Sequence, residues 1–304
     1  MSEKKRAGIW YAIIAFGAWG VLPLYWKALQ QVPAHEILAH RVLWSFVFVL
    51  VILVALGRWK SLKEALTNRS VSLAVLLSSL LISCNWFIYI WAVNDNHIIE
   101  TSLGYYINPL LNIILGMLVL KERLNFWELF SLFLAFTGVV IRTVQYGKIP
   151  WIALSLAITF ALYGLVKKTT KLDTITGLAM ETAYIAPLAF IYLVFLGMDG
   201  AGSFGVSTLD VNLLLLGSGI VTAMPLLWFA QGTQRVSLST IGFIQYISPT
   251  ASLLIGVLVY KEPFTGGHLV SFGFIWSALL LYSFSQTGFM QSLQPEYFKA
   301  KNVN

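Results

Sequence analysis

YINPLLNIILGMLVLKE (Tyr106–Glu122) and YISPTASLLIGVLVYKE (Tyr246–Glu262) are one segment written twice, 140 residues apart. Eight of the seventeen positions are identical: Tyr106/Tyr246, Ile107/Ile247, Pro109/Pro249, Gly116/Gly256, Leu118/Leu258, Val119/Val259, Lys121/Lys261 and Glu122/Glu262. Shared apolar composition does not bring Pro, Lys and Glu into register. A fainter echo pairs FGAWG (Phe16–Gly20) with FALYG (Phe160–Gly164), and Leu38-Ala39 with Leu178-Ala179. The chain therefore reads as two related halves, 8–143 and 150–286, followed by a polar tail, 287–304.

Composition says where these halves live. Of the 304 residues 58% are hydrophobic and 11% charged, against about 45–50% and about 25% in soluble domains. That leaves too little polar surface to face water, and the mean hydropathy of +0.77 agrees. Apolar blocks of some 20 residues, too continuous for barrel strands, read as membrane-crossing helices. They fall at about 8–26, 36–56, 71–93, 101–120, 126–142, 150–167, 176–197, 210–230, 238–259 and 267–286. The first block is a retained helix, since it is long and lacks a convincing cleavage site. The expected fold is an all-α integral membrane protein of about ten helices, in two five-helix repeats.

Fifteen of the 20 Lys and Arg lie on one side of these helices and five on the other. Positive loops stay inside, so both termini and the 287–304 tail are expected in the cytoplasm. The net charge of +7 has this topological source, and no basic soluble domain remains to bind nucleic acid. Five is odd, so the second repeat enters the membrane inverted relative to the first. Inverted repeats are a recurrent transporter architecture with sites near the midplane between them. No Walker glycine loop is present.

Ten helices in two halves, each with Pro, then Gly, then Lys-Glu, resemble the EamA family of the drug/metabolite transporter superfamily. GIWYAIIAFGAWGVLPLYWK (Gly8–Lys27) and HRVLWS (His40–Ser45) resemble its RarD branch. The resemblance covers nearly the whole chain. It implies export or exchange of small metabolites, such as amino acids or related amphipathic compounds, through a central cavity in the inner membrane. It names no substrate. A passive channel or facilitator, and a lipid-active membrane enzyme, are the rival readings. The enzyme would need a catalytic cluster that the sequence does not offer.

Candidate residues follow from the repeat. Tyr105, Asn108 and Asn112 share one face of the fourth helix, with Gln245, Ser248 and Ser252 as their counterparts on the ninth. Each stripe surrounds a proline, Pro109 or Pro249, expected to kink its helix. The stripes either line one substrate cavity or act as polar glue between helices. Trp86 and Trp228, near Asn85, Tyr89 and Gln231, could wall the same cavity or belong to interfacial belts.

Arg41 and Glu181, also 140 residues apart, are ionisable groups within helices and candidates for gating or proton coupling. Their mirrored depths in a core of ~30 Å argue against a direct pair. Arg41 would attract an anionic group outside, and Glu181 would carry a proton or a cationic group inside. Snorkelling to the interface is the alternative for both. His40 is a further proton candidate. With His35 and Glu36 it makes no metal site, and no cofactor is expected. The Lys-Glu turns are expected to be structural, each charge complementing an adjacent helix end. The assembly expected is a monomer or weak homodimer.

Overall fold

The computed structural model describes residues 2–94, 98–147, 149–170, 172–261, 266–285 and 287–295. Among these residues there are thirteen α-helices and no strand. The helices are α1 (Glu3–Ala28), α2 (Ala34–Ala55), α3 (Trp59–Thr67), α4 (Arg69–Asn94), α5 (Ile98–Leu118), α6 (Phe126–Tyr146) and α7 (Trp151–Thr169). Then come α8 (Thr174–Met198), α9 (Leu209–Thr233), α10 (Leu238–Gln245), α11 (Ile247–Leu258), α12 (Gly266–Ser285) and α13 (Gly288–Ser292). Eight stretches are long and apolar enough to cross a bilayer, α10 and α11 counting as one, and the shorter Leu103–Leu118 and Leu269–Ser285 make ten. Large apolar side chains such as Leu188, Ile191, Phe195 and Phe133 are at least 60% exposed, which only a lipid surround makes stable.

Local chemistry sets the ends. Asn125 and Glu128 form a reciprocal capping box at the start of α6. Gly147, at φ 79°, terminates α6 in the left-handed region that glycine adopts without strain. Ser237 caps α10 by accepting from the Thr240 amide.

Two features differ from the sequence reading. The stretch after α2, taken as a loop, holds the nine-residue helix α3. It is too short to span, and it lays Ala65 against Val75 and Met180 while Lys60 and Lys63 face outward. The ninth helix is broken at Tyr246 into α10 and α11. Pro249 lacks the N–H that would bond the Gln245 carbonyl, and the helix parts at that level. Pro109 has the same place in the first repeat, yet α5 runs through it unbroken. A kink device repeated in sequence thus gives one break.

The packing follows the repeat. Exchanging each helix with its counterpart maps the α1–α9 contact onto α7–α4, α2–α9 onto α8–α4, and α1–α11 onto α7–α5. The contacts α2–α8, α5–α10 and α6–α12 map onto themselves. Most helices therefore pack against the other half, and the halves interleave. Phe16 and Trp19 of FGAWG meet Phe160 of FALYG and Phe229, with ring centroids 5.4–5.9 Å apart. Tyr163 stacks on Phe229 at 5.9 Å. The faint sequence echo is thus a joint aromatic core.

Candidate functional site

Two clefts flank one carboxylate. Glu181 lies two turns into α8, and side chains on the same face lie one above another along such a helix. Toward the N-terminus of α8 a narrow cleft is lined by Lys167, Thr170, Asp173, Thr174, Gly177 and Gln234, with Ser78 and Glu181. Beyond Glu181 a second, narrow cleft is lined by Val42, Ile82, Trp86, Ile185 and Leu226, with Ser45 and Ser83. Glu181 lines both.

The carboxylate is not free. Lys167, on α7, places its Nζ 2.7 Å from Glu181 Oε1, and both side chains are under 10% exposed. Ser78 of α4 also donates to Oε1, and the Tyr163 hydroxyl donates to Oε2 at 3.4 Å. Ser79 donates to the Glu181 backbone carbonyl at 3.2 Å. A buried charge persists only when paired and hydrogen-bonded, and here α4, α7 and α8 together supply that. The sequence reading ended the sixth helix at residue 167 and counted Lys167 among the fifteen loop charges of the cytoplasmic side. The correction is that it lies in the last turn of α7 and turns inward to Glu181. At the mouth of the first cleft Arg58 bridges Asp173, the N-cap of α8. Burial pushes the Asp173 carboxyl up, but bonds from Arg58 and from the Thr176 amide and hydroxyl outweigh it and hold it below the ordinary 3.8.

Arg41 stands apart from Glu181. Its guanidinium lies over the rings of Trp26 at 4.5 Å and Trp86 at 4.9 Å. Its Nε donates to Thr222 Oγ1 at 3.1 Å. Tyr89 and Tyr105 pack at 6.1 Å, share a hydrogen bond, and lie within electrostatic reach of Arg41. Tyr105 is 47% exposed, so this cluster borders open space. Trp86 joins it to the second cleft. Gly219 allows α9 to approach here, since an added Cβ would lie 2.2 Å from the Trp44 carbonyl carbon.

The two polar stripes meet, but each other first. Asn108, Asn112 and Gln245 are all at most 5% exposed. Asn112 donates to Gln245 Oε1 at 2.6 Å and to Asn108 Oδ1 at 3.2 Å, Gln245 donates to Asn108 Oδ1, and Asn108 donates to the Ala157 carbonyl at 2.6 Å. This amide network ties α5 to α10 and α7 and leaves Asn112 Oδ1 buried without a hydrogen-bond partner, and neither cleft includes it. Ser252 donates to the Gly20 carbonyl at 3.1 Å, and Ser248 and Trp228 are partly buried. Of the eight residues expected to touch substrate, Trp86 lines a described cleft and Tyr105 borders the Arg41 cluster.

His40 Nδ1 accepts from Trp44 Nε1 at 3.1 Å, and its Nε2 lies 3.9 Å from Glu36. Glu36 itself accepts from the Ser203 amide and hydroxyl and from the Phe204 amide at 2.6–3.2 Å, which pins the α8–α9 loop over α2. Among the described residues no three His, Cys, Asp or Glu stand close enough to hold a metal. Glu122 was expected to serve the helix that follows it. It accepts instead from the Leu238 and Ser239 amides at 2.7 and 2.8 Å, capping α10 of the other half. Lys121 sits at φ 55° and Lys261 at φ 57°, so the repeat reproduces a strained left-handed turn. Glu262 lies outside the described residues.

A protein crossing the bilayer many times, with a buried ion pair beside internal clefts, is of the class that moves solutes. The model of the EamA-like transporter family matches residues 6–144 and 148–284. The chain belongs to that family. It is 49% identical over 290 residues to "Uncharacterized transporter YojE" of Bacillus subtilis, covering 94% of this chain and 96% of that one. It is 41% identical over 281 residues to "Protein RarD" of Escherichia coli, covering 92% and 95%, which fits the RarD branch. "Chloramphenicol-sensitive protein RarD" of Pseudomonas aeruginosa is 26% identical over 278 residues, covering 90% and 92%. A solved structure titled "Crystal structure of protein" superposes with a TM-score of 0.70 at 17% identity, covering 91% of this chain and 97% of that one, and so shares the fold.

Proposed function

We propose that the chain is a secondary transporter of the inner membrane that exports or exchanges a small amphipathic metabolite by alternating access. The observation that carries this is the placement of Glu181 on both clefts. A channel needs one continuous path, whereas a carrier needs two chambers separated by a closure that can open. The Lys167–Glu181 pair is that closure. The first cleft opens beside Arg58, Lys168 and Asp173, on the Lys- and Arg-rich side, so it faces the cytoplasm, as do both termini. The Arg41 cluster faces outward.

In the cycle, Lys167 leaves Glu181 and the two clefts join. A cationic group of the cargo, or a proton, takes the place of Lys167 on the carboxylate and keeps the buried charge compensated. A proton that enters the cycle acts at Glu181. Because the halves interleave, opening is a sliding of α7 and α8 against α4 rather than a hinge between two bodies. The two inverted repeats, 8–143 and 150–286, supply the related surfaces that such an exchange needs.

The test is counterflow in proteoliposomes, after a thermal-shift screen of amino acids, aromatic metabolites and amphenicols finds a ligand. Exchange accelerated by ligand on the opposite side, and lost in Glu181→Gln, is the expected result. Flux without trans-stimulation would identify a passive facilitator instead.

A further inference from the structure

The repeat relation carries one step more. Arg41 occupies in the first half the position that Glu181 occupies in the second. The second-half charge has its counter-ion, Lys167, at 2.7 Å. The first-half charge has none: among the described residues no carboxylate pairs with Arg41, and its hydrogen bond is the one from Nε to Thr222. A guanidinium inside a membrane protein is costly, and such groups are kept for a role. Trp26 and Trp86 offset part of that cost through their ring faces. Ring contacts engage the faces of a guanidinium and leave its edge donors for a planar oxyanion held bidentately.

We infer that Arg41, against Trp26 and Trp86 and beside Tyr89 and Tyr105, binds the carboxylate of an organic acid whose apolar body enters the second cleft. Trp86 belongs to both the Arg41 cluster and that cleft, whose remaining walls include Val42, Ile82, Ile185 and Leu226. A head group on Arg41 therefore sits beside a narrow cleft whose walls are mostly apolar, with the Lys167-paired Glu181 among them. One cation suits a monoanion. The tyrosine hydroxyls add neutral donors that a carboxylate can use, and no second cation stands by for a phosphate dianion among the described residues. Lys27, the nearest basic residue in sequence on α1, is exposed and lies over Tyr260 at 5.9 Å.

This site deepens the transporter reading, and its test is a binding test. Purified full-length protein in nanodiscs is titrated with phenylacetate, with its neutral isostere phenylacetamide, and with phenethylammonium, following thermal unfolding. Phenylacetate is expected to stabilise the protein saturably and the other two to have little effect. Arg41→Gln should weaken the phenylacetate Kd by about 10- to 100-fold, as loss of a charged hydrogen-bonded partner does. Arg41→Lys should recover part of the affinity, having the charge without the fork. Stabilisation by the amide equal to that by the acid, or an Arg41→Gln protein that responds like wild type, overturns the site. The wild-type comparison needs no variant, so a folding defect in Arg41→Gln does not spoil it. Arg41-dependent binding of phenylacetate without any trans-stimulated exchange of it would keep the site and sink the transporter reading. Exchange of another solute that is indifferent to Arg41 would do the reverse.

Discussion

Removing one member of the Lys167–Glu181 pair should cost far more than removing both. Lys167→Met keeps the stem that packs beside Tyr163 but strips the counter-charge from a carboxylate that is 4% exposed. The Ser78 and Tyr163 hydroxyls remain, and they do not neutralise it. Breaking a buried pair in this way costs about 3–5 kcal/mol. Glu181→Gln should be milder, about 1–3 kcal/mol. The stranded Lys167 sits in the last turn of α7, where the helix dipole favours a cation and a long stem can reach the interface. The double variant places two neutral groups in the same volume and should return to within about 1 kcal/mol of wild type. Equilibrium unfolding in mixed detergent–SDS micelles, followed by tryptophan fluorescence, gives the three values. Their coupling energy should exceed about 2 kcal/mol. Costs that simply add would refute the reasoning, because they would mean that neither charge depends on the other for its place in the protein.

Four further outcomes follow from the same geometry. Glu122→Gln should destabilise the protein by roughly 0.5–2 kcal/mol by weakening a charged cap on α10, whereas Lys121→Gly, which relieves a positive φ, should stabilise it slightly in the same assay. Gly219→Ala should cost about 1–3 kcal/mol and weaken any ligand response at Arg41, because the new Cβ meets Trp44 backbone and pushes α9, with Thr222, away from α2. Asp173 is held below its ordinary value, so its contribution is present above pH 3.8 and is lost as pH falls through the lower folded value. The stability gap between wild type and Asp173→Asn should therefore be constant near neutrality and close on acidification below about pH 4.

The helices were legible because lipid imposes a simple rule, about 20 apolar residues for each crossing. α3 was not, because WKSLKEALT is amphipathic and gains its helix from packing on Val75 and Met180 rather than from length. The break at Tyr246 was half legible: a proline marks where a backbone bond is missing, but whether the helix parts there depends on its neighbours, and Pro109 shows the other outcome. Asn108, Asn112 and Gln245 meet across the two repeats, whereas Tyr105 packs on Tyr89 of its own half. Spacing gives a face and not the distance to the helix opposite, so it could not tell an amide clasp from a cavity wall. Lys167 was missed for a similar reason. At the end of an apolar block it counts as a loop charge unless its partner on another helix is known.

What the two halves share and where they part separates scaffold from site. Pro109/Pro249, Gly116/Gly256 and Lys121-Glu122/Lys261-Glu262 are identical, and where described they do backbone work. Gly116 leaves room for the Glu122 carboxylate, which a Cβ would meet at 2.5 Å, and Lys121 and Lys261 turn the chain at the same positive φ. Such tasks recur in each copy of the fold whatever it carries. Arg41 and Glu181 share a position and differ in sign, one facing each side of the membrane under the proposed topology. A purely structural charge would have no reason to invert between copies. A route that must accept an acid at one end and release its own counter-ion at the other would. The asymmetry also limits the mechanism. Glu181 has Lys167 as its counter-ion, whereas no carboxylate among the described residues pairs with Arg41, so under the proposed topology the inner side closes on its own charges and the outer side closes when a carboxylate arrives. Phenylacetate should therefore slow the labelling of a cysteine introduced at Tyr105, and Arg41→Gln should leave that position open with or without the acid. Labelling of Tyr105→Cys that is indifferent to phenylacetate would show that the outer cluster is a fixed wall.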